Sequence, residues 1–477
     1  MSESEIIKVY HEGIQAVVTL VQGLSTQISD LSQTVEKQNK VISDLDARLK
    51  KLEKQSNKTS ENSSLPPSTD GFKKTKSLRQ PSTKKPGGQV GHKGSTLKQV
   101  DKPDVIIKHT PHTCQGCWAS LKKTKPEKRI IKRQVFDLDT LKLQVTEHQS
   151  LIKICPHCGF KNAGAFPKHV TQPTQYGPHL ASVLSYFNHY QLIPYDRLQQ
   201  LAKDVFGVKM SQGTLVNLTK RFYGLLESTE ASIKESLLAS SYLHLDETGC
   251  YVNGNRHWLH VTSNQRYTHY FVHEKRGSKA IEANGILPSF KGTVIHDHWT
   301  PYFKYEECSH ALCNVHHLRE LKGILDFEKQ PWAKEMSELL LEAKTYSEDT
   351  PYPLPLDRIQ DFEKRYQQII EKGYQANPLK DYEKNTDPVR LLNRLVKRQE
   401  EVLEFLYQIE VPFDNNLAER DVRMTKTKQK ISGCFRTEEG AAYFARIRGF
   451  ISTCQKQGFN VIESIQTILM GNTIQFS

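Results

Sequence analysis

The chain of 477 residues has no apolar run approaching the roughly 18 residues that cross a bilayer, so no membrane partner is expected. It also lacks the basic start of a secretory signal. Met1-Ser-Glu-Ser-Glu5 is acidic, and a cytoplasmic location is expected. Cysteine is sparse, nine in all, too few to staple a chain of this length with disulfides. In a reducing compartment, paired cysteines point instead to metal. Acids are missing from one long stretch: between Gly71 and Val100 there are eight Lys or Arg and no Asp or Glu. Such a segment cannot bury enough apolar surface to fold alone.

What is present fits a soluble chain with some non-globular parts: 37% hydrophobic residues and a mean hydropathy of −0.58. The length implies about two to four domains. A formal net charge of +13 points to a polyanionic partner, most often nucleic acid.

Ile14, Val17, Val21, Leu24, Ile28, Leu31, Val35, Gln38, Ile42, Leu45, Leu49 and Leu52 alternate at spacings of three and four. β-Branched residues dominate one heptad position and Leu the other, the distribution of a parallel two-stranded coiled coil over 13–54. A homodimer or higher oligomer is the expected consequence. The competing reading is a single amphipathic helix packed on the body. The basic, Gly-rich arm or linker over 55–100, with Lys84, Lys85 and Lys93 at its core, suits contact with DNA phosphates, against the alternative of a solvated linker.

Cys114-x-x-Cys117 and Cys155-Pro-His-Cys158-Gly159 supply four thiolates suited to structural Zn²⁺, in a zinc-binding module over 101–165. The 37 residues between Cys117 and Cys155 exceed the usual ribbon spacing, so a longer hairpin must join the knuckles. A redox Cys-Pro-His-Cys centre is the rival and leaves Cys114 and Cys117 without a role. Residues 166–240 read as a helical DNA-binding region. Arg197–Phe206, Gly207 and a helix capped by Ser211 fit a helix-turn-helix or a plain helical hairpin.

The stretch Ser241-Tyr-Leu-His-Leu-Asp246-Glu247-Thr248-Gly249 alternates as a strand and brings two acids to a Gly turn. Strand patterns at Trp258–Val261 and His269–Val272, a short helix at 278–284 and a strand over Gly292–His296 ending in Asp297 follow. A fifth strand is read at His310–Cys313. Three antiparallel strands and then a parallel one is the order of a ribonuclease-H-like sheet. In that order the first and fourth strands are neighbours, which brings Asp246 to Asp297. Alternation puts His244 and Asp246 on one face, leaving Glu247 as the solvent-side neighbour. Close carboxylates repel, and a divalent cation removes the conflict. Glu419 offers the third carboxylate, on a helix capped by Asp414 or Asn415. Arg423 and Lys426 (i+4, i+7) lie on its face to grip DNA phosphate, and Asp421 lies about 200° away round the helix. The plain alternative is a solvated helix with an i,i+4 ion pair. The catalytic core thus comprises 241–325 and 411–470, with a helical insertion over 326–410. Cys308, His310, Cys313, His316 and His317 form a local cluster, read either as a second zinc site or as packing beside Asp297. The expected fold class is multidomain α+β: coiled coil, zinc-ribbon-like module, helical DNA-binding region and ribonuclease-H-like core with a helical insertion.

Taken together, Asn62-Ser-Ser-Leu-Pro-Pro-Ser68, Lys85-Pro-Gly-Gly-Gln-Val-Gly-His92, the Cys-Pro-x-Cys knuckle, Asp246-Glu-Thr-Gly249, Leu312-Cys-Asn-Val-His-His-Leu-Arg-Glu-Leu321, Val411-Pro-Phe-Asp-Asn-Asn-Leu-Ala-Glu-Arg-Asp-Val-Arg-Met424 and Lys430-Ile-Ser-Gly-Cys-Phe-Arg436 closely resemble the transposases of the insertion-sequence 66 family. The resemblance runs over almost the whole chain. It implies a DDE-type DNA transposase, acting by metal-dependent cleavage at element ends and strand transfer into target DNA. Asp246, Asp297 and Glu419 match the acidic triad for Mg²⁺ or Mn²⁺, and Lys426 matches the basic residue seven positions after the glutamate. The Tyr and Arg that precede the glutamate in some other DDE groups are absent, with Pro412 and Asn415 in their place. Implied partners are element ends, target DNA and small accessory proteins of the element; the implied setting is a bacterial, nucleoid-associated one. A nuclease or resolvase that cleaves without joining, and a silent DNA-binding remnant, are the alternatives.

Overall fold

The computed structural model describes residues 2–63, 99–103, 105–125, 133–134, 143–154, 156–158, 160–167, 170, 172–378 and 386–476. The chain forms two compact units, residues 1–76 with 228–458 and residues 77–227 with 459–477.

A short helix α1 (Glu3–His11) precedes α2 (Ile14–Ser56), a single helix of 43 residues. The heptad residues of α2 face solvent: Ile14, Val21, Ile28, Leu31 and Leu52 are all more than half exposed. The stripe is therefore not packed on the body of the chain. The end of α2 docks. Lys54 Nζ lies 3.0 Å from Asp387, and the backbone carbonyl of Asn62 lies where a Cβ on Gly323 would meet it at 2.3 Å.

In the second unit, β1 (Ile152–Ile154) and β2 (Lys161–Ala163) pair antiparallel. Helices α3 (Pro178–Ser185), α4 (Tyr195–Phe206) and α5 (Gln212–Leu225) follow. They bury Leu184, Leu198, Ala202, Val208, Met210 and Leu215 together. Gly207 ends α4 in the left-handed region at φ 69°, and the Ser211 hydroxyl caps α5 by accepting from Thr214 N–H at 3.1 Å.

After α6 (Glu227–Leu238) comes a five-stranded mixed sheet. Its strands are β3 (Tyr242–Val252), β4 (Asn255–Ser263), β5 (Thr268–His273), β6 (Thr293–His296) and β7 (Ser309–Leu312). The order across it is β5-β4-β3-β6-β7, antiparallel through the first three and parallel from β3 to β7. One expectation fails here. Gly249 makes no turn; it pairs with Trp258 inside the ladder. The turn lies at Asn253 (φ 48°) and Gly254 (φ 77°), a two-residue hairpin whose positive φ angles suit Asn-Gly. The sequence carries that signal openly.

Between β5 and β6 lies α7 (Ser278–Asn284), and after β7 come α8 (Asn314–Glu328), α9 (Pro331–Asp349), α10 (Leu356–Ala376), α11 (Asp387–Lys397) and α12 (Gln399–Leu403). The helices from α9 to α12 share one core with α8, β6 and β7, centred on Ile295, Leu312, Leu321, Trp332, Phe362, Tyr366 and Leu392. The segment read as an insertion therefore covers the β7 side of the sheet. α13 (Asn416–Ser432) crosses β3 and β4, and α14 (Glu438–Lys456) packs on β5. Helix α15 (Val461–Leu469) packs on α3 and α5, burying Ile465 and Ile468.

Candidate active site

Strand register assembles the acids. In the parallel pair, His244 lies beside Ile295, so two residues further along Asp246 comes level with Asp297. The close approach begins at Gly292, where a Cβ would meet the Ser241 carbonyl oxygen at 2.2 Å; only glycine fits. Glu419 arrives from the first turn of α13. What sets that helix is Asn415, buried to 2% exposure. Its side chain does not cap α13, so of the two expected caps, Asp414 and Asn415, the contact falls to Asp414. The Oδ1 accepts from His244 Nδ1 at 2.8 Å and the Nδ2 donates to the Leu245 carbonyl at 2.7 Å. The helix start is thereby stitched to the two residues before Asp246. Asp414 takes the capping contact, accepting from Asn416 N–H at 3.0 Å. His244, 1% exposed, has its pKa lowered to about 4, chiefly by burial, so the neutral ring donates from Nδ1.

Asp246 is held well above the usual carboxylate range. Burial is the largest cause, followed by the charges of Glu247, Asp297 and Glu419; the Glu247 N–H, 2.8 Å from Oδ1, opposes them. Four carboxylates thus crowd one buried place. Asp297 Oδ1 accepts from Trp299 N–H at 3.0 Å. Glu419 Oε1 is buried with no hydrogen-bond partner and lies 4.0 Å from His316 Nε2. A buried carboxylate oxygen without a donor is costly unless a cation meets it. Three carboxylates are the hard-oxygen donor type a divalent cation takes, although among the described residues these three are not gathered to within 4.8 Å of one another.

Glu247 is not the solvent-side residue expected from alternation. Its side chain is 2% exposed, because the segments after β5 and β6 fold over it. Arg276 Nε donates to its Oε1 at 2.8 Å and the Tyr302 hydroxyl donates to Oε2. Arg276 in turn lies over the rings of Trp258 (4.9 Å) and Trp299 (4.2 Å). Burial and Asp297 raise the Glu247 pKa, and Arg276 and Tyr302 oppose them. Tyr302, fully enclosed, is pushed well above its ordinary value by burial and by Glu247.

The other expected residues divide. Lys426 Nζ donates to the Gly249 carbonyl at 2.9 Å, tying α13 to β3. Arg423 on the same helix is exposed. Asp421 faces away as expected and pairs with Lys456 at 2.9 Å. The cluster after Asp297 splits. The Cys308 thiol donates to the Tyr305 carbonyl at 3.2 Å, and His310 Nδ1 is 3.0 Å from His296 Nε2. His317 is buried against Asn314, whereas Cys313 and His316 turn to Glu419. From the inserted helices, Arg394 and Arg398 approach His298, whose pKa falls to about 4 through burial and then these two charges. A cleft of about 530 Å³ beside them is lined by Lys54, Lys58, His298 and Arg394 among others. No spacing rule announces these cations, which come from an element remote in sequence.

Of the expected zinc ligands, Cys114 and Cys117 sit in a tight knuckle. Trp118 N–H donates to the Cys114 carbonyl at 2.9 Å, and the amides of Cys117 and Gly116 lower the Cys114 pKa. Cys158 is exposed and, among the described residues, is not gathered with them. Cys155 lies outside the described residues, as do Lys84, Lys85 and Lys93.

A basic chain with carboxylates near one another on a mixed sheet is compatible with an enzyme that processes nucleic acid, and comparison with known proteins gives the family. The family model described as Transposase IS66 family matches residues 173–443, more than half of the chain, and the chain belongs to this family. A second model, described as a family of unknown function (DUF6444), matches residues 16–98. A protein of Sinorhizobium fredii (strain NBRC 101917 / NGR234), named Uncharacterized protein y4jO, is 32% identical over 101 residues, which is 21% of this chain and 28% of that relative. The match therefore spans little more than a quarter of that relative's length. No helix among the described residues is long and apolar enough to cross a membrane.

Proposed function

We propose that the chain is a DDE-type transposase with a ribonuclease-H-like core, cutting the ends of its element and joining them to target DNA. The observation that carries this reading is the crowding of Asp246 by Asp297, Glu419 and Glu247 together with the partnerless Oε1 of Glu419. Asp246, Asp297 and Glu419 would hold Mg²⁺ or Mn²⁺, which when bound supplies Lewis acidity at phosphorus and lowers the pKa of an attacking water or 3′-hydroxyl. Glu247 is excluded from the ligand set because Arg276 and Tyr302 already occupy both of its oxygens. Its part is to anchor Arg276 and the loop after Asp297. In cleavage, water oxygen bonds to phosphorus and the 3′-oxygen leaves as a hydroxyl. In joining, that hydroxyl attacks a target phosphate and displaces the target's 3′-oxygen.

Around the acids, the exposed Arg423 suits the DNA backbone. The arm with Lys84, Lys85 and Lys93, a Zn²⁺ module on Cys114, Cys117, Cys155 and Cys158, and the α4–α5 pair would bind end sequences. The exposed seam of α2 supports parallel pairing of two subunits, one for each end. Incubation of the full chain with labelled element ends, Mg²⁺ and plasmid, with the element's accessory proteins added, tests the reaction. Joined products are expected; cleavage without joining would establish the nuclease reading, and neither product would leave only a DNA-binding role.

A further inference from the structure

Cys313 stands at the N-cap of α8 and His316 in its first turn. Neither is used by the acid site, yet Cys313 Sγ, a ring nitrogen of His316 and a carboxylate oxygen of Glu419 all lie within 4.8 Å of one another. Ordinary packing would leave these groups hydrogen-bonded to something. Instead Glu419 Oε1 and His316 Nδ1 are both buried without a partner, while His316 Nε2 stands 4.0 Å from Glu419 Oε1. Cys313 Sγ accepts the Asn415 N–H at 3.2 Å and sits at a helix N-terminus, and both contacts offset part of what burial costs a thiolate. The neighbouring Cys308 and His310 do not contribute, being already satisfied by the Tyr305 carbonyl and by His296.

We propose that Cys313, His316 and Glu419 form a binding site for one borderline divalent cation of the zinc class. A thiolate with an imidazole and a carboxylate selects such an ion over Mg²⁺, which takes hard oxygens. Ligands about 2.0–2.3 Å from a tetrahedral ion sit roughly 3.3–3.7 Å apart, so the cluster contracts slightly on binding. The His316 side chain, 27% exposed, has room to turn. Without a cation, burial and the Glu419 charge push the Cys313 thiol up to about 12; binding releases that proton. Three protein ligands leave a fourth position for water. Glu419 is shared with the proposed Mg²⁺ site, but zinc binding at Cys313 and His316 does not depend on that reading.

The test is zinc content per chain by elemental analysis, on full-length protein stripped with chelator, titrated with Zn²⁺ and freed of excess ion. Wild type is expected to hold one zinc more per chain than Cys313→Ser or His316→Gln, any zinc on the N-terminal cysteines being common to all three. Asp246→Asn is expected to keep the wild-type content, which separates this site from the carboxylate site. Melting in chelator reports the fold, and His316→Gln, which removes a partly exposed side chain, decides the matter should Cys313→Ser prove unstable. Equal zinc content in wild type and His316→Gln overturns the site. Loss of the same zinc on Asp246→Asn assigns it to the carboxylates and also overturns it.

Discussion

Replacing Asn415 with alanine deletes the contacts that register α13 against β3. Two buried hydrogen bonds disappear, the one from His244 Nδ1 at 2.8 Å and the one to the Leu245 carbonyl at 2.7 Å. His244 Nε2 already lacks a partner, so a tautomer change cannot rescue the ring. Each buried polar group left unsatisfied costs about 1–3 kcal/mol, and with two groups affected the expected loss is about 2–6 kcal/mol. Urea unfolding followed by tryptophan fluorescence measures it, with Trp258, Trp299 and Trp332 in the same unit as Asn415. Asn415→Asp should lose more than Asn415→Ala, since it keeps the acceptor for His244 but places a second acceptor, and a charge, against the Leu245 carbonyl. Because Glu419 N–H donates to the Asn415 carbonyl at 3.2 Å, cleavage by Asn415→Ala should also fall even where the protein remains folded. A loss below about 0.5 kcal/mol, within the scatter of neutral surface changes, combined with full cleavage activity, would refute the positioning role.

Further consequences follow from the same contacts. Asp246 and Glu247 both have folded pKa values raised above their unfolded ones, so their protonation stabilises the fold at pH below about 4. That contribution is lost as pH rises through the raised values. Melting in chelator should therefore fall with rising pH above about 4, less steeply in Asp246→Asn, and Mg²⁺ should restore the wild type; identical slopes for both proteins would contradict the crowding. Arg276→Met strips a partner from a carboxylate that is 2% exposed. Loss of a fully buried partner costs 3–5 kcal/mol, but Arg276 is 38% exposed, and screening brings the expected loss to roughly 2–3 kcal/mol. Chemical denaturation checks it, and a loss under about 0.5 kcal/mol would argue that Glu247 is neutral or wet. Ile28→Lys combined with Leu31→Lys in the exposed seam should convert dimers to monomers in sedimentation velocity, leaving the melting of the sheet unchanged; an unchanged sedimentation coefficient would remove α2 from the interface.

Much of this was legible from local pattern. The periods of three and four over Ile14–Leu52 give one long helix, α2, and the strand patterns from Tyr242 to Leu312 fall in a sheet whose first and fourth strands adjoin. The charges of Asp297 and Glu419 both act on Asp246, Asp297 through the strand register and Glu419 from a helix packed across β3. What pattern could not supply was the burial of side chains by distant segments. Alternation alone put Glu247 in solvent, but Arg276 and Tyr302, 29 and 55 residues on, fold over it. Local pattern leaves Asp414 and Asn415 equal as caps; Asp414 makes the contact, and the Asn415 amide meets a strand 170 residues earlier. Lys426 has the spacing of a phosphate contact, yet the Gly249 carbonyl lies within its reach. The turn departs from the expected place for a local reason: the Asn253-Gly254 pair, with both φ angles positive, makes the hairpin, and Gly249 stays in the ladder.

The central claim is that Asp246, Asp297 and Glu419, and not Glu247, carry the chemistry. Single-turnover cleavage of a labelled element end in Mg²⁺, with the accessory proteins present, tests it across four variants. Asp246→Asn, Asp297→Asn and Glu419→Gln should each slow cleavage by at least about a hundredfold, the scale of losing one preorganised electrostatic contact to the transition state. Glu247→Gln, which keeps an acceptor for Tyr302, should stay within about tenfold of wild type once its lower stability is allowed for. Near-wild-type cleavage by Asp246→Asn or Glu419→Gln, or a loss in Glu247→Gln as deep as theirs in a folded protein, would contradict the account.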